Sequence, residues 1–141
     1  VSLLTLTAAV AAQLGQLTSQ IPELQVTSQL NDNPTPPAVD LYPAEPFQDQ
    51  TDFGPLIRAA LWIVRARVTK ADQDSGQTLL LQMMDPTSPL SVTAALASNP
   101  GFGGACQDST VEGPLNWGTY GDPGGQGTEL MGCQWRLRTI L

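Results

Sequence analysis

Residues 58–70 read RAALWIVRARVTK, and the alternation inside this stretch decides the fold. Trp62, Val64, Ala66 and Val68 fall on one side of an extended chain, while Leu61, Ile63, Arg65 and Arg67 fall on the other. Successive side chains of a strand point to opposite faces, so this segment is a strand with a dry face and an arginine face. The last ten residues, GCQWRLRTIL (132–141), repeat the arrangement. Cys133, Trp135, Leu137, Thr139 and Leu141 share one side; Gln134, Arg136, Arg138 and Ile140 share the other.

Other segments supply the neighbours that two such strands need. STVEGPLNWGTY (109–120) reads as a strand with a Gly-Pro irregularity, GDPGGQG (121–127) as a turn, and Glu129–Leu141 as the closing strand. Together they predict a C-terminal β-hairpin over residues 107–141. Upstream, the prolines of NDNPTPPAVDLYPAEP (31–46) exclude a helix. Within that stretch Val39-Asp40-Leu41-Tyr42 reads as a short strand with Val39 and Leu41 on one face and Asp40 and Tyr42 on the other. AEPFQDQTDFGP (44–55) is acidic and rich in turn formers, which predicts a loop between the strands of region 38–70.

The cover for the dry faces comes from helices. Leu3, Leu6, Val10, Leu14, Leu17 and Ile21 recur at intervals of three and four, one stripe along a helix over residues 1–22. Ser2 is placed to cap it and Pro22 to end it. Two shorter helices are expected within residues 75–98. One runs from Gln77 to Met84 and stops at Asp85-Pro86; the other is capped by Ser88, has Pro89 in its first turn, and ends before the turn NPGFGG (99–104). Helix, strands, two short helices and strands make one α+β domain over residues 1–141, with the helices against an antiparallel or mixed sheet.

Charge is sparse and segregated. Residues 1–57 hold six acidic side chains and no basic one; residues 71–135 hold seven and again no basic one. All six basic residues, Arg58, Arg65, Arg67, Lys70, Arg136 and Arg138, lie in or beside the two patterned strands. If those strands are neighbours, four arginines share a face, and like charges directly opposite one another are unfavourable. Asp40 and Glu112 fall on the non-core faces of their own strands and are candidates for compensation. Three arrangements are compatible with the pattern: ion pairs within one sheet, contact with phosphate, or contact with carboxylates of an adjacent subunit. In the last case Arg65, Arg67, Arg136 and Arg138 are the candidate interface cations, and Glu45, Asp49 and Asp52 of the acidic segment are their mates. Arginine suits such contacts because its planar fork binds carboxylates through two parallel hydrogen bonds.

Composition argues against several functional classes. The net charge of −7 opposes sequence-independent grip on DNA. The chain has no histidine, which removes the usual general base and the commonest metal ligand. Its two cysteines, Cys106 and Cys133, are too few for a four-thiolate zinc site; they read as small buried hydrophobes, with a disulfide left open. GFGGA and DPGGQG match no phosphate-binding loop, and no nucleophile has a base partner, so neither an enzyme nor a cofactor is expected. The first 21 residues lack the basic start of a secretory signal and are too often interrupted by Gln, Ser and Thr for a membrane span; a cytoplasmic product is expected.

The order of these elements resembles that of a known group. The strand Leu61–Val68, the helical pieces GQTLLLQMMDP and SPLSVTAALAS, and the segment STVEGPLNWGTYGDPGGQGTELMGCQWRLRTIL resemble small neck proteins of long-tailed bacteriophages. The likeness is greatest to tail terminators of siphophages that infect actinobacteria, and it covers about residues 35–141. It is one of layout and of C-terminal texture, without a catalytic motif. The resemblance implies a tail-terminator-like fold in a virion structural protein that forms a ring, commonly a hexamer. Such a ring caps the tail tube, stops its polymerisation, joins the tube to the head-side connector and lets DNA pass through its lumen. A head-tail stopper or head-completion protein of the same neck is the near alternative. A monomeric module that binds an acidic partner is the alternative of another class.

Overall fold

The stripe of apolar residues at the start of the chain makes helix α1, Leu3–Leu14, and Ser2 caps it by accepting the Thr5 N–H at 3.0 Å. Leu6, Val10 and Leu14 are wholly buried. At Gly15 the chain tightens into a 3-10 turn, Gly15–Ser19, so the α-helix itself is shorter than the expected 1–22. Leu17 and Ile21 still reach the same core. The computed structural model describes residues 2–31, 34–49, 59–69, 73–120 and 130–141.

Five strands follow: β1 (Gln25–Thr27), β2 (Ala38–Asp49), β3 (Ala59–Thr69), β4 (Asp108–Thr119) and β5 (Leu130–Ile140). They form one sheet in the order β1-β2-β3-β5-β4. β1 is parallel to β2 and every other pairing is antiparallel, so the sheet is mixed. Between β3 and β4 lie α2 (Gln73–Met84) and α3 (Val92–Ala97). The two patterned strands, β3 and β5, are direct neighbours at the centre, with Val64 opposite Trp135 and Ala66 opposite Cys133.

The helices cover one face of this sheet. A single core joins Leu6, Val10 and Leu14 of α1, Leu80 and Met83 of α2, and Val92 and Leu96 of α3 to Val39, Leu41, Trp62, Val64, Trp135 and Leu137 of the strands. The dry face expected for each patterned strand is therefore the face that packs. The Trp135 indole N–H is buried in this layer without a hydrogen-bond partner among the described residues, whereas other polar groups there are paired. Trp62 Nε1 donates to Thr139 Oγ1 at 3.1 Å, and that hydroxyl donates onward to the Ala60 carbonyl at 3.2 Å. Gln13, buried on α1, donates to the carbonyls of Ala95 and Leu96 at 2.8 and 2.9 Å and so closes the C-terminal end of α3.

Three boundaries differ from the expectation. Residues 44–49, expected in a loop, continue β2. The ladder with β3 breaks between Pro43 and Gln48 and resumes with Gln48 paired to Ala60 and Asp49 to Ala59. Proline cannot donate to a ladder, so Pro43 and Pro46 make the segment look like a loop although β3 provides it with a partner. α2 begins at Gln73, before the expected start. α3 is capped by Ser91, whose Oγ accepts the Ala94 N–H at 3.0 Å, rather than by Ser88. Ser88 instead holds a turn, accepting the Leu90 N–H at 3.1 Å. The turn expected at 121–127 and the site residue Asp52 lie outside the described residues.

Two glycines are required by the sheet. A Cβ at Gly132 would run into the Ala66 carbonyl oxygen and come within 3.0 Å of the Tyr120 ring and 3.1 Å of the Arg67 stem. Gly113 has φ +136, and a Cβ there would lie 3.0 Å from the Gln134 carbonyl. It sits where the β4–β5 register shifts, between Glu112 and Leu115.

Candidate functional site

The face of the sheet turned away from the helices carries the segregated charge. The register keeps the arginines of β3 and β5 from standing directly opposite one another. Arg65 faces Gln134, Arg67 faces Gly132, Ile63 faces Arg136 and Leu61 faces Arg138. The four cations thus divide into two groups along the strands, which lowers the mutual repulsion that the sequence pattern raises.

The first group is a buried ion cluster. Asp40 stands across from Arg65 on the β2–β3 ladder and is 1% exposed. Its two carboxylate oxygens accept from Arg65 Nε at 3.1 Å and Nη2 at 2.6 Å, a two-point contact. Arg67 Nη2 donates to the same carboxylate at 3.3 Å and to the Asn31 carbonyl at 2.6 Å, while the Asn31 N–H donates to Asp40 at 3.0 Å. Arg67 is itself only 3% exposed. The cluster continues sideways across the sheet. The Arg65 guanidinium lies 5.0 Å from the centre of the Tyr42 ring. The Tyr42 hydroxyl accepts from Gln134 at 3.1 Å, and the Gln134 side-chain oxygen accepts from Asn116 at 2.8 Å. Tyr120 closes the far side by donating to the Asn116 carbonyl. Burial holds the Tyr42 phenol above its ordinary pKa and pushes that of Tyr120 up to about 12. Both rings therefore stay neutral hydrogen-bonding groups at physiological pH.

Of the proposed interface residues, Arg65 and Arg67 are thus engaged within the chain. They form neither an exposed ladder of surface pairs nor a free cationic patch. Asp40 acts as the compensating carboxylate, as its strand position implies.

The second group lies at the other end of the same face. Arg136 is exposed and stands between Ile63 of β3 and Glu112 of β4; Arg138 stands between Leu61 and Thr110. Leu61, Ile63 and Ile140 are only half-buried around them. Glu45 is exposed on β2 and shares with Arg136 an open cleft of about 240 Å³ lined by Ala44, Leu61, Trp62 and Ile63. The backbone of Asp49 pairs in β2, but its side chain, like Asp52, lies outside the described residues.

This arrangement is suited to holding another protein surface. Interfaces favour arginine set among apolar groups, with charge at the rim. Cys106 and Cys133 are both free and buried, and burial pushes both thiols upward, Cys133 to about 12, which keeps them from acting as thiolate nucleophiles. Among the described residues no three His, Cys, Asp or Glu side chains come together in a way that could hold a metal ion, and no helix is long and apolar enough to cross a membrane.

Several members of the buried cluster were legible and several were not. Tyr42 and Gln134 fall on the arginine faces of their strands by alternation alone. Asn31 lies outside any periodic segment, Tyr120 ends the irregular segment 109–120, and both are brought in by the tertiary fold. Neither a protein-family model nor a curated protein matches this chain.

Proposed function

We propose that this chain is a structural subunit of a phage tail neck, a tail terminator that assembles into a ring, caps the tail tube and joins it to the head-side connector. The observation that carries the reading is the one-sided layering of the fold. Helices cover one face of the sheet, while the other presents Arg136 and Arg138 among half-buried Leu61, Ile63 and Ile140. Such a face is suited to a partner surface, and the acidic segment that begins at Glu45 would supply complementary charge on another copy. Complementary patches at different places on one subunit make a head-to-tail contact, which closes into a ring when the rotation allows. Charge would set orientation and register more than affinity. The net charge of −7 is consistent with a lumen that does not grip the DNA passing through it.

The test has two arms. Six copies of a 14.9 kDa chain would form a particle of about 90 kDa in solution or on purified tails. Reversal of the exposed Arg136, Arg136→Glu, is expected to weaken that particle strongly while leaving the melting temperature of the isolated subunit within a few degrees. In a phage that carries the gene, loss of the chain is expected to give abnormally long tails. Tails of normal length with filled heads that leak DNA would instead identify a head-side stopper, and an unchanged phage would end both readings.

A further inference from the structure

Among the described residues, the large apolar side chains that remain exposed, apart from Leu81 on α2, lie toward the two opposite edges of the sheet. Leu3, Leu4 and Leu30 are 41%, 73% and 53% exposed at the β1–β2 side, and Trp117 is 44% exposed on β4. The leucines border an open groove of about 280 Å³, floored by Leu41, Pro43, Phe47 and Trp62. A cavity of about 150 Å³ accommodates a benzene ring, so this groove has room for an indole. Trp117 cannot fill it within one molecule, because β1 and β4 are the two outermost strands of the order β1-β2-β3-β5-β4.

We propose that Trp117 of one copy seats in the Leu3–Leu4–Leu30 groove of the next, and that this knob and hole set the head-to-tail contact of the assembly. The inference rests on the self-assembly reading above and names the contact through which it occurs. Charge selects the occupant. Outside residues 58–70 and 136–141 every charged residue of the chain is acidic, so contacts between copies there risk setting carboxylate against carboxylate. No residue lining the groove is charged, and neither is any residue from Pro114 to Thr119. These two surfaces meet without juxtaposing carboxylates. Their positions also give the contact a direction. A knob at one edge and a hole at the other make a heterologous interface that leaves each copy with one free knob and one free hole until a ring closes. Tryptophan is the side chain most enriched among residues that dominate interface energies, and β4 presents Trp117 44% exposed beside Gly118.

Two measurements on the full chain test this. The first is the assembly mass by sedimentation from 1 to 200 μM, a range chosen for the experiment, with Trp117→Ala and Leu30→Asp beside the parent chain. Either substitution is expected to weaken association by roughly thirtyfold or more, whereas Leu81→Ser, on α2 and 56% exposed, leaves it unchanged. The second guards against a folding defect. A Thr119→Cys and Gln29→Cys double variant, which keeps Trp117 and Leu30 and places the thiols beside the knob and on the groove lining, is expected on oxidation at the same concentrations to give a ladder of disulfide-linked multimers on a non-reducing gel, and neither single variant gives one. A parent chain that assembles, together with a Trp117→Ala variant that assembles equally well and a double variant that gives no ladder, would overturn this contact and leave the self-assembly reading standing. A parent chain that stays at the monomer mass throughout, with no ladder from the double variant, would overturn both.

Discussion

Replacing Asp40 by Asn tests the ion cluster that organises the outer face of the sheet. The substitution keeps the size of the side chain and removes its charge. Asp40 is 1% exposed and accepts from Arg65 at two points, from Arg67 and from the Asn31 N–H. An amide in its place keeps one acceptor and turns an NH2 group toward guanidinium donors. Arg67, 3% exposed, then loses a counter-charge in surroundings that water barely reaches. Breaking a buried pair from one side costs about 3–5 kcal/mol, because the charge left behind remains desolvated. A domain of this size has about 5–15 kcal/mol of stability to lose. The expected fall in melting temperature is roughly 10–15 °C. Urea is the denaturant of choice because guanidinium would screen the cluster, and the fluorescence of buried Trp62 and Trp135 reports unfolding. Arg136→Ala, at an exposed site of the same face, is expected to stay within about 0.5 kcal/mol of the parent. Replacing Asp40, Arg65 and Arg67 together by apolar residues of similar size should recover much of the loss, since no orphaned charge remains. A loss below about 1 kcal/mol for Asp40→Asn would mean that the cluster behaves like an exposed ion pair and would refute the argument.

Three further outcomes are expected. Trp135→Ala should cost about 3–5 kcal/mol in urea unfolding, because the side chain is wholly buried at the centre of the sheet and the space it leaves cannot close. Gln13→Leu should cost roughly 1–3 kcal/mol and raise hydrogen exchange at the end of α3, because the Ala95 and Leu96 carbonyls lose their shared donor in a buried position. Stability should decline as pH rises from about 9 to about 12, since the Cys133 thiol holds its proton up to about 12 in the fold and ionises near its ordinary value of 9.0 once unfolded. Unfolding then releases a proton across that window. Replacing Cys133 by Ala should flatten that part of a pH series of melting temperatures.

The layer architecture was legible because one-sided burial leaves a periodic trace. Alternation assigns the side chains of 61–68 and 133–141 to the faces they occupy, and the three-and-four spacing at the start of the chain assigns Leu6, Val10, Leu14, Leu17 and Ile21 to the core, although Leu3 of the same stripe is left exposed. Local chemistry was a weaker guide. Pro46 and the acidic residues of 44–49 imitate a loop, yet the segment continues β2 and rejoins the ladder with β3 at Gln48 and Asp49. Ser88, followed by Pro89, reads as the cap in the sequence, yet α3 starts after Ser91, where Val92 and Leu96 reach the core.

By itself, the sequence determined that this is an α+β chain with arginine-bearing strands whose opposite faces are dry, because period and burial are properties of a single segment. Which arginines remain available to a partner was decided only by the tertiary structure. Arg65 and Arg67 are held because β2 places Asp40 beside them and the Asn31 segment folds over, while Arg136 stands exposed across from Ile63. The availability of a charge depends on neighbours distant in the chain, and no local pattern records them.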